Sequence, residues 1–215
     1  MKRAWSIWHG LIVAGTFLVT LHWYGLLPER IPVHWNLKGQ IDGYGPKPFI
    51  FGIPVLMLVI QAILGAVART FEAKKGNRNA QETRRAMTSM ASITTGTLVF
   101  LAFIQGVIIT TAIGKNLDVP RLASVSVSLL VMFLGGQMPG LPRNHWVGIR
   151  TPWTLMSDHV WNETHRRAAP VMRWAGFAGA ALTLTPWPWT GVIVSVCGVI
   201  YPAFDSWRIS GAAPR

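Results

Sequence analysis

The chain has 215 residues, of which 51% are apolar and only 13% charged, and its 20 Lys and Arg outweigh 8 Asp and Glu to give a net charge of +12. A soluble domain would carry roughly 25% charged residues, so an ordinary globular fold is excluded. The cations sit between apolar blocks and not within them, which makes an anionic inner leaflet their partner and not nucleic acid.

Six apolar blocks follow one another, near 5–27, 49–69, 90–113, 121–138, 171–186 and 188–205. Blocks of this kind suit a hydrocarbon core of roughly 30 Å. The first follows Lys2 and Arg3 in the manner of a signal peptide. No small-residue cleavage site comes after it, and His22, Trp23 and Tyr24 close it as an interfacial girdle, so it reads as an uncleaved span. With the N-terminus inside, fifteen of the 20 Lys and Arg fall in the cytoplasm, leaving Arg30, Lys38, Lys47, Lys115 and Arg121 outside. The positive-inside rule therefore places both termini in the cytoplasm. The expected fold is an all-α polytopic membrane protein of the plasma membrane, with six transmembrane helices and an added interfacial helix in the 139–170 segment. Residues 1–89 form a two-span region with an outer-loop motif, and 90–215 a four-span region with a cytoplasmic motif.

The outer loop at 28–48 is rich in Pro and Gly, and Asp42-Gly43 reads as its hairpin turn. His34, Trp35, Asn36 and Asp42 make a polar-aromatic kernel, to which Gly39 and Tyr44 add the remaining candidate ligand-binding positions. The plainer alternative is a structured loop anchored by its Trp. One His beside one Asp is too sparse for a metal site, which wants three or four ligands. The link at 70–89 reads as a basic, solvated face against lipid headgroups.

The third and fourth spans carry Ser92, Thr94, Thr95, Gly96, Thr97, Gly106, Ser124, Ser126 and Ser128, residues that let helices approach and bond across the contact. Gln61 and Gln105 could line a polar crevice. No span has a central Asp, Glu, Lys or Arg, which argues against a proton-coupled pump or ion channel. Ala175, Gly176, Gly179 and Ala180 repeat the close-packing chemistry, and 185–189 (TPWPW) is a tight outer turn. Asp205 is expected to pair with Arg173 or Arg150.

Within 139–170, Pro139 and Pro142 end the fourth span. Asn144 to Trp153 then forms a turn-rich strip in which Trp146, Ile149 and Trp153 lie at headgroup depth around Arg150. That guanidinium can stack on a ring or fork onto a phosphate or carboxylate. Ser157 has the look of an N-cap, opening a helix to about Ala169 on which His159 and Glu163, Trp161 and His165, and Glu163 and Arg167 are spaced four apart. There is no HExxH pattern, thiolate set or nucleophile beside a base. No catalytic residue, metal or cofactor is assigned.

The run NHWVGIRTPWT at 144–154, followed by Ser157, Trp161 and Thr164-His165-Arg166, resembles the signature of the Sdp immunity protein family. The upstream PVHWN…GQIDGY at 32–44 resembles a small domain of unknown function that often precedes it. The resemblance implies a non-enzymatic role: immunity to a secreted hydrophobic toxin peptide. It also implies, for some members, transmission of the toxin signal by holding a soluble autorepressor at the membrane. On that reading Asn144, Gly148, Ile149, Arg150, Thr151, Pro152 and Trp153, with Trp161 and His165, are the signalling or partner-binding positions. Two other functions stay open. One is an enzyme or carrier acting on lipid headgroups at the inner leaflet, using Arg150, His159, Glu163 and His165; the other is an assembly protein without a ligand.

Overall fold

The computed structural model describes residues 2–73 and 80–212; Lys74, Lys75, Arg78 and Arg215 of the cytoplasmic charge count lie outside them. Helix α1 (Lys2–Tyr24) leads to strands β1 (Arg30–Trp35) and β2 (Ile41–Pro46) and a 3-10 turn at Lys47–Phe51. Helices α2 (Gly52–Ala73), α3 (Ala80–Ala112) and α4 (Val119–Gln137) follow, with a second 3-10 turn at Met138–Gly140. The chain ends with a short α5 (Pro152–Met156), then α6 (Asp158–Leu182) and α7 (Trp189–Ala212). Two compact units result, one built from residues up to Leu64 with Thr94–Ala123, the other from Gly65–Ile93 and Ser124 onward.

Among the described residues five helical stretches are long and apolar enough to cross a membrane: Ser6–Tyr24, Lys47–Arg69, Ala80–Ala112, Val119–Gly140 and Trp189–Gly211. The chain is thus built as a multi-pass membrane protein. Its surface agrees. Leu11, Leu18, Val59, Ile63, Ile193, Ile200 and Phe204 are exposed, while Thr20, Gln105, Ser124, Ser128, Ser195 and Ser206 are buried. Lipid rewards that arrangement, because apolar side chains lose nothing by facing hydrocarbon whereas unpaired polar groups do.

Three expectations need correction. The fold is not all-α, since β1 and β2 form an antiparallel hairpin pairing Arg30 with Pro46 and Trp35 with Ile41. Its turn is at Asn36–Gln40 and not at Asp42-Gly43, which lies inside β2 with Gly43 opposite His34. The Asn36 carboxamide oxygen accepts from the N–H groups of Lys38 and Gln40 at 2.9 and 3.0 Å, and Gly39 takes φ +78°. An Asn that mimics a backbone turn, plus a Gly free to go left-handed, outcompetes Asp-Gly here. Thirdly, the block at 171–186 is not a separate helix. It is the second half of α6, which runs unbroken through Pro170, carries Arg166, Arg167 and Arg173, and is not among the five stretches above. Proline costs α6 one hydrogen bond, to the Arg166 carbonyl. Arg166 and Pro170 both lie on an exposed face, where that carbonyl can find another donor.

In the first unit, the base of the hairpin is held by a cluster of Leu27, Ile31, Ile50, Ile109 and Ala112, with Tyr24 and Phe51 against it. Buried Gln105 spans this region, donating to Thr20 Oγ1 at 3.0 Å and to the Ile50 carbonyl at 2.9 Å. In the second unit, α6 lies close against both α4 and α7. A Cβ on Gly176 would stand 2.5 Å from the Ser128 carbonyl oxygen and 2.6 Å from Met132 N, and one on Gly191 would strike the Gly179 carbonyl. Ser195 donates to Ser128 at 2.9 Å, and Ser124 to the Pro188 carbonyl at 2.5 Å, so hydroxyls seal the seam. The run at 80–89, part of the link read as a basic face against lipid headgroups, is helical and opens α3, because its Ala, Gln, Glu, Arg and Met favour helix.

The two kinds of glycine should separate in thermal unfolding of detergent-purified protein. Gly176→Leu must push backbone apart and is expected to cost about 1–3 kcal/mol or more. Gly65, with nothing within 4 Å of an added Cβ, should accept Ala with no loss or a gain of about 0.5–1 kcal/mol.

Candidate functional site

On the hairpin, His34 Nδ1 and Asp42 Oδ1 meet at 2.5 Å with both side chains exposed. Asn36 and Gly39 build the turn, Trp35 is half-buried, and Tyr44 is exposed. The structure therefore joins His34 with Asp42 and leaves Tyr44 apart from them. It also adds residues that the motif did not single out. Val33, Leu37 and Phe49 are exposed alongside Tyr44. Gly45 sits between Val33 and Phe49, each 3.0 Å from where its Cβ would be. Among the described residues the sheet has two strands, so each has one edge that no other strand pairs.

The 139–165 segment is tied down by the residues of its own motif. Asn144 accepts from the N–H groups of Trp146 and Val147, both at 2.8 Å, and donates to the carbonyls of Pro142 and Val147 at 2.9 Å. Ile149 N–H donates to Nε2 of His165 at 3.0 Å. Nδ1 of that ring then carries the hydrogen and donates to the Trp161 carbonyl at 2.8 Å. Trp161 stacks on the imidazole with ring centres 4.1 Å apart, and its indole N–H donates to the Leu141 carbonyl at 2.8 Å. Both rings are almost completely buried. Gly148, at φ +116°, lies directly over them: a Cβ there would stand 2.5 Å from His165 Nε2 and 3.1 Å from Trp161.

A capping box follows. Thr151 caps α5, its N–H donating to Thr154 Oγ1 at 2.9 Å, with Pro152 in the first turn where a missing N–H costs nothing. Thr154 donates in turn to the Ile149 carbonyl at 2.9 Å. Trp153 Nε1 donates to the buried hydroxyl of Ser206 on α7 at 2.5 Å, and Thr151 Oγ1 lies 3.0 Å from the same oxygen. Arg143 closes the segment by donating to the Leu155 carbonyl at 2.8 Å and pairing with Asp158 at 2.7 Å. Leu141, Arg143, Thr154, Asp158 and Ser206 were absent from the expected site residues. The Thr151-Pro152-Trp153-Thr154 cap is a local signal that could have been read; the reach to Ser206 is not.

Arg150 is exposed and donates to the His145 carbonyl at 2.9 Å. Asp205 pairs with neither of its expected partners; it lies 3.9 Å from Arg167, one of two arginines that also bind Glu163. Hydrogen bonds from Arg166 and Arg167 hold the Glu163 carboxyl at a pKa of about 2. It is thus a fixed anion, poorly placed for acid–base work at neutral pH. His159 is exposed on the same helix. Around this fixed frame Trp146 and Met156 are left 60% and 81% exposed.

Burial pushes the His165 imidazole below its usual 6.5. The unfolded chain takes up a proton near that pH and the folded chain does not, so stability should be full above about pH 6.5 and decline as the pH falls below it. Thermal midpoints taken between about pH 5 and 8 should show this fall. His165→Leu should flatten it while lowering stability by about 1–3 kcal/mol, because Ile149 N–H loses its acceptor.

Residues 140–204, which include this frame, match the SdpI/YfhL protein family. Residues 11–58, which include the hairpin, match a domain of unknown function (DUF1648). The chain is 28% identical over 173 residues to the protein named Immunity protein SdpI of Bacillus subtilis (strain 168), covering 80% of this chain and 78% of the relative. No solved structure matches it. Its 140–204 region and the domain of unknown function ahead of it thus make this chain similar to the SdpI/YfhL protein family.

Proposed function

We propose that this protein sits in the plasma membrane and protects its cell against a secreted hydrophobic toxin peptide, without catalysis. The observation that carries the reading is the similarity to an immunity protein over 80% of the chain, beside family matches at 11–58 and 140–204 that include the hairpin and the segment that follows α4. The remaining assignments are finer. The hairpin lies outside, where exposed Val33, Leu37, Tyr44 and Phe49 offer apolar surface and the strand edges offer backbone hydrogen bonds to an extended peptide. His34 and Asp42 supply a polar contact beside it, while Trp35, Asn36 and Gly39 set its shape.

The 139–165 segment faces the cytoplasm, a placement that the Lys and Arg distribution supports, and holds a soluble regulator such as an autorepressor. Asn144, Gly148, Ile149, Thr151, Pro152, Trp161 and His165 act there as framework. Trp153 is anchored by Ser206, and Arg150, Trp146 and Met156 form the contact face. The second half of α6 crosses the membrane as a sixth span packed on α7, which returns the C-terminus to the cytoplasm. Glu163 is bound by two arginines, so a headgroup-processing reaction that uses it as acid or base has no support in the geometry.

The test is to express the gene in a toxin-sensitive host and titrate the peptide. Protection should be lost with Val33→Asp or Tyr44→Asp, while the protein still reaches the membrane at normal abundance. Unaltered sensitivity of a strain lacking the gene would refute immunity. For recruitment, Arg150→Ala and Trp146→Ala should reduce the soluble protein recovered with the membrane protein about tenfold and leave thermal stability within about 0.5 kcal/mol.

A further inference from the structure

An open cavity of about 390 Å³ lies on the second unit, lined by Gln81, Arg84, Arg85, Thr88, Ser89 and Gly140. That is a volume within the usual range for small-molecule sites. Four of the lining residues fall at positions i, i+3, i+4 and i+7 of α3 and so share one face of the helix. The opposite wall is the 3-10 turn at Met138–Gly140. Gly140 approaches so closely that a Cβ there would collide with the Ser89 hydroxyl. The groove is thus formed by two elements held together, and not by a helix surface alone.

Its chemistry is one-sided. Arg143, Arg166, Arg167 and Arg121 each rest against a carboxylate. Among the described residues, neither Arg84 nor Arg85 has an acidic partner. Among the described residues no carboxylate lines the cavity, whereas two guanidinium groups, an amide and two hydroxyls do. Forked guanidinium donors match the oxygens of a phosphate, and hydroxyl and amide groups complete such a shell.

Depth points the same way. Helix α3 has 33 residues, which at 1.5 Å each make about 50 Å, well beyond a hydrocarbon core of roughly 30 Å. Its apolar part lies toward Ala112, so the polar start AQETRRAMTS projects past the hydrocarbon to where phosphate esters are concentrated. We propose that this groove binds a phosphate-bearing anion, either the diester of an anionic phospholipid headgroup or a soluble phosphate.

The test uses the full chain purified in detergent, with retained lipid read by native mass spectrometry after incubation with phosphatidylglycerol. Arg84→Gln combined with Arg85→Gln should lower retention about tenfold or more, since two charge-assisted contacts are lost. Thr88→Trp, which fills the groove without changing the charge, should lower it about as much. Arg173→Gln removes one charge from an exposed site elsewhere on the same unit and should change it less than about twofold. Displacement of the lipid by millimolar inorganic phosphate would support a site for soluble phosphate. Retention against phosphate, with little binding of phosphatidylcholine, would support the anionic headgroup. Equal retention by the double variant, or an equal loss in Arg173→Gln, would overturn the proposal, since binding would then follow net charge and not the groove.

Discussion

Where lipid surrounds a bundle of helices, a hydroxyl or a bare carbonyl has to find its partner inside the protein. That constraint orders most of this fold; among the described residues Gln105 Oε1 and Thr164 Oγ1 are buried oxygens that lack a partner. It lets many leucines and phenylalanines face outward, while serines, threonines and Gln105 gather within beside the buried apolar clusters. It also explains why glycines cluster where α6 meets α4 and α7. Short serine hydroxyls can bridge two helices only when the backbones come close, and Gly176, Gly179 and Gly191 allow that approach.

The same demand shapes the segment between α4 and α6. Its backbone is irregular from Leu141 to Thr151, so its N–H and C=O groups need individual partners. The motif residues supply them: Asn144 satisfies two N–H groups and two carbonyls, His165 takes the Ile149 N–H, Trp161 takes the Leu141 carbonyl and Thr154 the Ile149 carbonyl. Most of the signature is therefore architecture. What it leaves toward the surroundings is smaller, namely Arg150, Trp146 and Met156.

How much of this was legible depended on the range of each signal. Span positions were readable for five helices because hydrophobic length is a property of a continuous stretch, and the Ser157 cap was readable because its partner, Val160 N, lies three residues on. The hairpin was readable as a turn-rich loop but its register was not, since Asp42-Gly43 and Asn36 with Gly39 both carry turn chemistry and only packing decides between them. Gly39 shows this: the place of its missing Cβ is 2.9 Å from Pro120, more than eighty residues away in the chain. Pro170 read as a stop signal because a lone sequence cannot say that its face of α6 is exposed. The His165, Trp161 and Gly148 stack was partly visible, as an i, i+4 pair; that a glycine backbone would lie across it was not. Asp205 and Ser206 meet partners some forty to fifty-five residues distant, beyond any local rule.

Ser206 has one further implication. Its single oxygen receives the Trp153 indole and faces the Thr151 hydroxyl, and its own hydrogen goes back to the Ala203 carbonyl of α7. The start of α5 is thus pinned to one spot on a rod of 24 residues. Turning that rod by one residue's worth, about 100° in a helix with 3.6 residues per turn, would swing the oxygen out of reach and release both clasps together. Whatever tilts or rotates the last helix is consequently felt at once by the loop that carries Arg150, with no intervening lever.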